Sequence, residues 1–424
     1  MRVNRSVLSA FVVGIVGGAV MSACQTYDFE PVEPLALAQT TVGGTISAKT
    51  AKPNLMVLLD TSGSMTLPVD STDPDCTQSG TLCGTSIPCD VSRCPTRWSE
   101  LRSAMSTFLT NSGSIARMGL TTYPASEGTT ATQCRSSSAV KIAIPQVDDA
   151  DTAALQNAAT QISNEILNRP ISGQGGPSGG TPTSESLKFV GTQPELQTTD
   201  RQDFILLLTD GLPNCNDNAG DPRTCTCTQA NCGTSNSLAC LDKDNSVAAV
   251  AELKAQKQIQ TIVIGFGADF VLNPNEPPDS PANKQRQAGF DTLNAMAIEG
   301  GFSRGGTCTT DADCGAGDEC LPTKACKRRY YQAANQQELS NALAEIINKI
   351  GDTDPCLLKL NPAQRPSDDS LIVVYVNGES LPRGGDTWEL TADGVKFVGQ
   401  TCTRILASTD TNPITLEARA VQRR

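Results

Sequence analysis

The chain has 424 residues, a length that suggests two or three domains rather than one. It carries 33 Lys and Arg against 45 Asp and Glu, a net charge of −12, and no histidine. The acidic balance lacks the basic footprint of a nucleic-acid binder, so no nucleic acid is expected as a partner. The missing histidine removes Ser-His-Asp and Cys-His catalysis and His-ligated zinc or haem together. Seventeen cysteines are too many for idle thiols in a reducing cytosol.

At the N-terminus, Arg2 and Arg5 precede an apolar stretch from Val7 to Val20. It is too short for a comfortable membrane span and suits a signal peptide over residues 1–23. The stretch ends in Met21-Ser22-Ala23-Cys24. Small residues before a cysteine resemble the lipobox of bacterial lipoproteins. That resemblance implies cleavage before Cys24, acylation of Cys24 and attachment to a membrane through the lipid. Gln25, which is not Asp, then points to the outer membrane under the Gram-negative sorting rule. Without Cys24 an even number of cysteines remains, which reads as a disulfide framework in an exported protein.

Residues 24–50 show no period and contain Pro, Thr and Gly, so a lipidated flexible tether is expected. From residue 51 to 351 strands and helices alternate. Leu55–Leu59 is a continuous apolar run, as in a strand buried on both faces. Residues 66–94 form a polar loop with Cys76, Cys83, Cys89 and Cys94. Trp98, Leu101, Met105, Phe108 and Leu109 recur at helical spacing. Arg117–Tyr123 and Ala139–Ile144 read as strands, with Cys134 between them. Leu155, Ala159, Ile162 and Ile166 mark a helix stopped by Pro170.

A Gly-rich loop over 172–180 leads into a helix near Thr183–Val190. Phe204–Leu208 is the strongest strand. A second insertion, near 212–243, carries Cys215, Cys225, Cys227, Cys232 and Cys240. A helix over Val247–Gln256, a strand over Thr261–Ile264, a Pro-rich loop over 269–283 and a helix over Phe290–Glu299 follow. The third insertion, 305–327, holds Cys308, Cys314, Cys320 and Cys326. Leu339, Leu343, Ile346, Ile347 and Ile350 mark the last helix of this region.

The alternation predicts an α/β fold: a doubly wound, mostly parallel sheet with helices on both faces, decorated by Cys-rich loop insertions. Over residues 352–424 the pattern changes. Asn377-Gly378 after Leu371–Val376 is a hairpin signal, and Trp388–Leu390 with Val395–Val398 form a second. Pro413–Ala420 reads as a last strand. A small C-terminal β domain is expected, stapled by Cys356 and Cys402.

The first strand ends in Asp60-Thr61-Ser62-Gly63-Ser64. Oxygen-bearing side chains at alternate positions past a strand can converge on one hard cation. Gly179-Gly180-Thr181-Pro182-Thr183 and Thr209-Asp210-Gly211 lie in neighbouring loops at strand ends, where open α/β sheets bind ligands. Here the chain resembles the von Willebrand factor type A (VWA) domain and its metal-ion-dependent adhesion site (MIDAS). The likeness spans about residues 53–350. It implies that Ser62, Ser64 and Thr181 touch Mg²⁺ or Mn²⁺ directly, and that Asp60 and Asp210 act mostly through water. Thr183 competes for the Thr181 role, but Thr181 fits the family's spacing to Leu187. The Cys-rich pattern is similar to that of exported proteins of myxobacteria and their relatives.

Neutral hydroxyls leave the cation much of its charge, so a partner Asp or Glu carboxylate can complete the shell. The expected function is cell adhesion or protein binding through a protein or an acidic polymer. The alternative is a structural envelope component whose metal site only stabilises the fold. Loops 66–94 and 212–243 are the expected specificity elements. No enzyme is expected: no GxSxG and no phosphate-binding loop is present, and Asp203 and Glu185 read as solvated or capping acids. The cysteine spacings do not suit zinc. Asp311, Asp313, Asp318 and Glu319 read as solvated charges on a stapled loop rather than as a calcium site.

Overall fold

The computed structural model describes residues 41–46 and 52–420, apart from 85, 126–133, 198–200, 216–220, 229–231, 233–236, 268–269, 271–274, 306, 316–317, 352–355, 361–365, 367, 392–393 and 407–413. The expected signal peptide, Cys24 and most of the tether lie outside the described residues. Part of the tether is corrected. Thr41–Ile46 forms a strand, β1, which belongs to the C-terminal β unit described below.

Five strands make the central sheet: β2 (Asn54–Asp60), β5 (Arg117–Tyr123), β6 (Asp203–Thr209), β7 (Ile259–Phe266) and β8 (Tyr331–Ala333). Their order is β5-β2-β6-β7-β8, and every pairing is parallel. β2, β5 and β6 are buried at every position. Their residues alternate between two cores. Leu55, Val57, Leu59, Leu206 and Leu208 face α1 (Arg97–Ser112), α2 (Thr152–Asn168) and α6 (Gln336–Gly351). Met56, Leu58, Ile205 and Leu207 face α3 (Thr183–Val190), α4 (Lys243–Lys257) and α5 (Pro281–Glu299). Burying each such Leu contributes about 1.5–3 kcal/mol, which explains the unbroken apolar runs. This is the doubly wound α/β fold the sequence predicts.

Local signals set the helix starts. Thr96 and Ser99 form a reciprocal capping box at α1, and Asp151 accepts the Ala154 amide at α2. Ser280 caps α5 with Pro281 in its first turn, so this helix begins well before the expected Phe290. The predicted strand Ala139–Ile144 is also corrected. Ile142 makes one isolated bridge to Leu120, and no strand forms there.

The insertions are held by their own sulfur. Cys76–Cys94 and Cys83–Cys89 close the first, around a small hairpin of β3 (Thr77–Gln78) and β4 (Thr81–Leu82). Cys225–Cys240 and Cys227–Cys232 close the second, and Cys308–Cys320 and Cys314–Cys326 the third. Cys134–Cys215 joins the segment after β5 to the loop after β6.

The C-terminal unit has two antiparallel sheets. One has the order β1-β14-β10-β11, with β10 (Ile372–Val376), β11 (Glu379–Leu381) and β14 (Ile414–Ala420). The other joins β9 (Leu357–Lys359), β12 (Trp388–Leu390) and β13 (Gly394–Phe397) in the order β12-β13-β9. The short helix α7 (Gly399–Leu406) was not predicted. Its Cys402 is bonded to Cys356 as expected. No helix among the described residues is long and apolar enough to cross a membrane.

Candidate metal and ligand site

β2 and β6 are parallel neighbours, so the residues that end them arrive side by side at the carboxyl edge of the sheet. Asp60, fully buried, accepts the Ser62 amide on Oδ1 at 2.8 Å and the Thr209 hydroxyl on Oδ2 at 2.7 Å. Oδ1 therefore fixes the turn that aims Ser62, and Oδ2 ties Asp60 to the end of β6. Ser62 Oγ lies 3.0 Å from Ser64 Oγ, and Ser64 Oγ donates to Asp210 Oδ1 at 2.8 Å. Arg97 Nη1 donates to the other oxygen, Oδ2, at 2.9 Å.

The loop carrying Thr181 is tied to this turn through the backbone. Gly63 donates to the Gly179 carbonyl at 3.0 Å, and Ser178 donates to the Thr61 carbonyl at 2.9 Å. Gly179 has a φ of +88°, a conformation that favours glycine. Asn214 grips the same loop twice. Its Oδ1 accepts the Thr181 amide at 2.7 Å, and its own amide donates to the Thr181 carbonyl at 3.0 Å.

Of the expected residues, Asp60, Ser62, Ser64 and Asp210 form one hydrogen-bonded chain. Thr181 lines the cleft above it together with Ser64 and Asp210. Thr183 begins α3, is buried and does not line that cleft. Arg97 and Asn214 are the residues that sequence reasoning missed. A basic residue at the first position of α1, against the helix dipole, was a legible anomaly. Nothing in the sequence marks Asn214.

Asp60 is a buried carboxylate close to the charge of Asp210. Burial first, and then the charge of Asp210, push the Asp60 carboxyl up to about 7, while the bonds from Ser62 and Thr209 pull it down.

The donor set fits a small hard cation. Neighbouring ligands around Mg²⁺ at about 2.1 Å stand about 3 Å apart in an octahedron. The Ser62–Ser64 oxygen spacing of 3.0 Å matches that edge, and Asp210 Oδ1, 2.8 Å from Ser64 Oγ, stands beside it where a carboxylate can act through water. The cleft has a volume of about 1110 Å³. Ile87 and Pro88 of the first insertion and Thr228 of the second line it, with Phe270 and Arg286 also contributing.

Other candidate acids have structural partners. Asp203 is buried and accepts from Asn54 Nδ2 at 2.8 Å, which corrects the reading of a solvated or capping group. Glu185 is exposed and pairs with Lys188. In the third insertion Asp318 pairs with Arg304, and Asp311 accepts the Cys320 amide. Asp313 accepts the amides and hydroxyls of Thr309 and Thr310, which hold its carboxyl down at about 2.

No protein-family model matches the chain, and no curated protein does. Solved structures give distant likenesses. The pilus adhesin SpaC from Lactobacillus rhamnosus GG is similar at 13% identity and a TM-score of 0.40, over 90% of this chain and 41% of the adhesin. The manganese-loaded TRAP protein of Plasmodium vivax is similar at 15% identity and a TM-score of 0.28, over 53% of this chain and 60% of that protein. Proximal thread matrix protein 1 from the mussel byssus is similar at 10% identity and a TM-score of 0.31, over 72% of this chain and 49% of that protein. The chain thus spans about two fifths of the adhesin's length. Likenesses this distant leave the reading of the site to its own geometry.

Proposed function

We propose that this chain is a divalent-metal-dependent binding module, in which a carboxylate from a protein or an acidic polymer completes the cation's shell. The observation that carries the reading is the run of Ser62, Ser64 and Asp210 oxygens at 2.8–3.0 Å, of which Ser64 and Asp210 line the cleft together with Thr181. Ser62, Ser64 and Thr181 would hold Mg²⁺ or Mn²⁺. A bound ion supplies a Lewis-acidic position for the partner's oxygen. The residues of the chain do the rest. Asp60 orients Ser62, Asn214 orients Thr181, and the hydroxyls bring no charge to offset the ion's. The first two Cys-rich insertions set which partner enters, because they line the cleft.

The proposal includes no catalysis. The charged residues among those described in the cleft lining are Arg97, Asp210 and Arg286, and Asp210 is engaged by Arg97 and Ser64. That leaves no free base facing the cleft among the described residues. We further propose export by a signal peptide over 1–23 and attachment to the outer membrane through lipid at Cys24. The eight disulfides support export.

The test is binding of the oxidised chain to cell-surface material and to acidic polymers in Mg²⁺, Mn²⁺ and EDTA, with Asp210→Ala in parallel. Binding that needs the ion and is lost in the variant supports adhesion. Binding that persists unchanged in EDTA overturns it, and a structural envelope component becomes the reading.

A further inference from the structure

Arg97 is the first residue of α1, directly after the capping Thr96. A positive charge there opposes the helix dipole, so its placement needs another cause. That cause is Asp210. The Arg97 guanidinium lies 2.9 Å from Asp210 Oδ2, with the Asp210 side chain fully buried and that of Arg97 19% exposed. The Arg97 stem runs past Gly267, where a Cβ would fall 2.7 Å from Arg97 Cγ. Its Nε is buried without a hydrogen-bond partner. The bond to Asp210 therefore orients the guanidinium, and the adjoining cleft, which Arg97 also lines, offers it room to turn.

We propose that Arg97 is an internal competitor of the divalent cation. Its guanidinium and an ion held by Ser62, Ser64 and Thr181 draw on the same Asp210 carboxylate. Loading the site then sets the ion's charge, on the Oδ1 side, against the Arg97 charge on Oδ2 and weakens the Arg97 bond. Two cations a few ångströms apart repel strongly where burial limits screening. Arg97 thereby raises the ion concentration at which the site fills. This inference rests on the metal reading of the site and adds the residue that sets its affinity.

The experiment is Mn²⁺ titration by calorimetry of the oxidised full chain, wild type against Arg97→Gln and Arg97→Lys. Melting curves in EDTA verify that each variant is folded. Arg97→Gln is expected to bind Mn²⁺ at least about tenfold more tightly than wild type, and Arg97→Lys, which keeps the charge, to gain less. Equal or weaker binding by Arg97→Gln, with wild type still binding, overturns the competition and leaves the metal reading standing. Failure of both wild type and Arg97→Gln to bind at millimolar Mn²⁺ overturns both. A second readout needs no variant. The Arg97 guanidinium NMR signal of the wild type is expected to shift as Mg²⁺ saturates the site, and an unmoved signal at saturation overturns the proposal.

Discussion

Asn214 holds both main-chain groups of Thr181, accepting its N–H at 2.7 Å on Oδ1 and donating the Asn214 backbone N–H to its carbonyl at 3.0 Å. The two residues come from different loops, so this clasp fixes the distance between the Thr181 and Asp210 walls of the cleft. Asn214→Ala leaves the buried Thr181 amide unpaired, which destabilises by about 1–3 kcal/mol. The expected result is a lower urea midpoint together with weaker Mn²⁺ binding. A midpoint shift with unchanged Mn²⁺ affinity would separate the clasp from the site.

The Asp60 carboxyl gives the protein a pH dependence of known sign. Its folded value of about 7 lies above an unfolded value of about 3.9. Between these the folded chain holds a proton that the unfolded chain has released. In EDTA, stability is therefore expected to fall as pH rises from about 4 to about 7. Asp60→Asn should remove that component. Urea midpoints of wild type and variant across this window measure it, and a constant difference between the two contradicts the assignment.

Cys134 and Cys215 are 81 residues apart in sequence, against 6 for Cys83 and Cys89. Chain-entropy arguments make the long loop the more stabilising closure, within a typical range of about 2–5 kcal/mol. Replacing Cys134 and Cys215 by serine should lower stability more than the same change at Cys83 and Cys89. Because Cys215 follows Asn214, the first pair should also weaken Mn²⁺ binding. Denaturant titration and calorimetry read the two effects separately.

Removing residues 41–46 takes β1 from the edge of its sheet and exposes the backbone edge of β14. Ile414, Leu416 and Ala418 are buried in the core of that unit. An unpaired edge beside such residues favours association between copies. The shortened chain is expected to melt at lower temperature and to show concentration-dependent self-association in sedimentation, with Mn²⁺ binding retained.

Much of the α/β unit was legible because its strands are buried on both faces. Phe204–Leu208 needed no context to be read as a strand. The Asp60, Ser62 and Ser64 triplet was legible because the spacing is local. What failed was non-local. Thr41–Ile46 contains two glycines and two threonines and becomes a strand through pairing with β14, far along the chain. Ala139–Ile144 alternates like a strand but makes one bridge. Gly399–Leu406 is too short to display a helical period. Arg97 reaches Asp210 across 113 residues, a partnership that no local pattern encodes.

The pairing of β1 with β14 also joins the two ends of the described chain. β1 meets a partner made about 370 residues later. The strands and helices of the α/β unit all lie between them, and their contacts close over shorter loops, so that unit can fold before β14 is made. The β1–β14 pair of the small β unit forms only after β14 has been made. Its leading strand stays without its partner until β14 is available, so completion of that sheet reports that the whole intervening chain has been delivered.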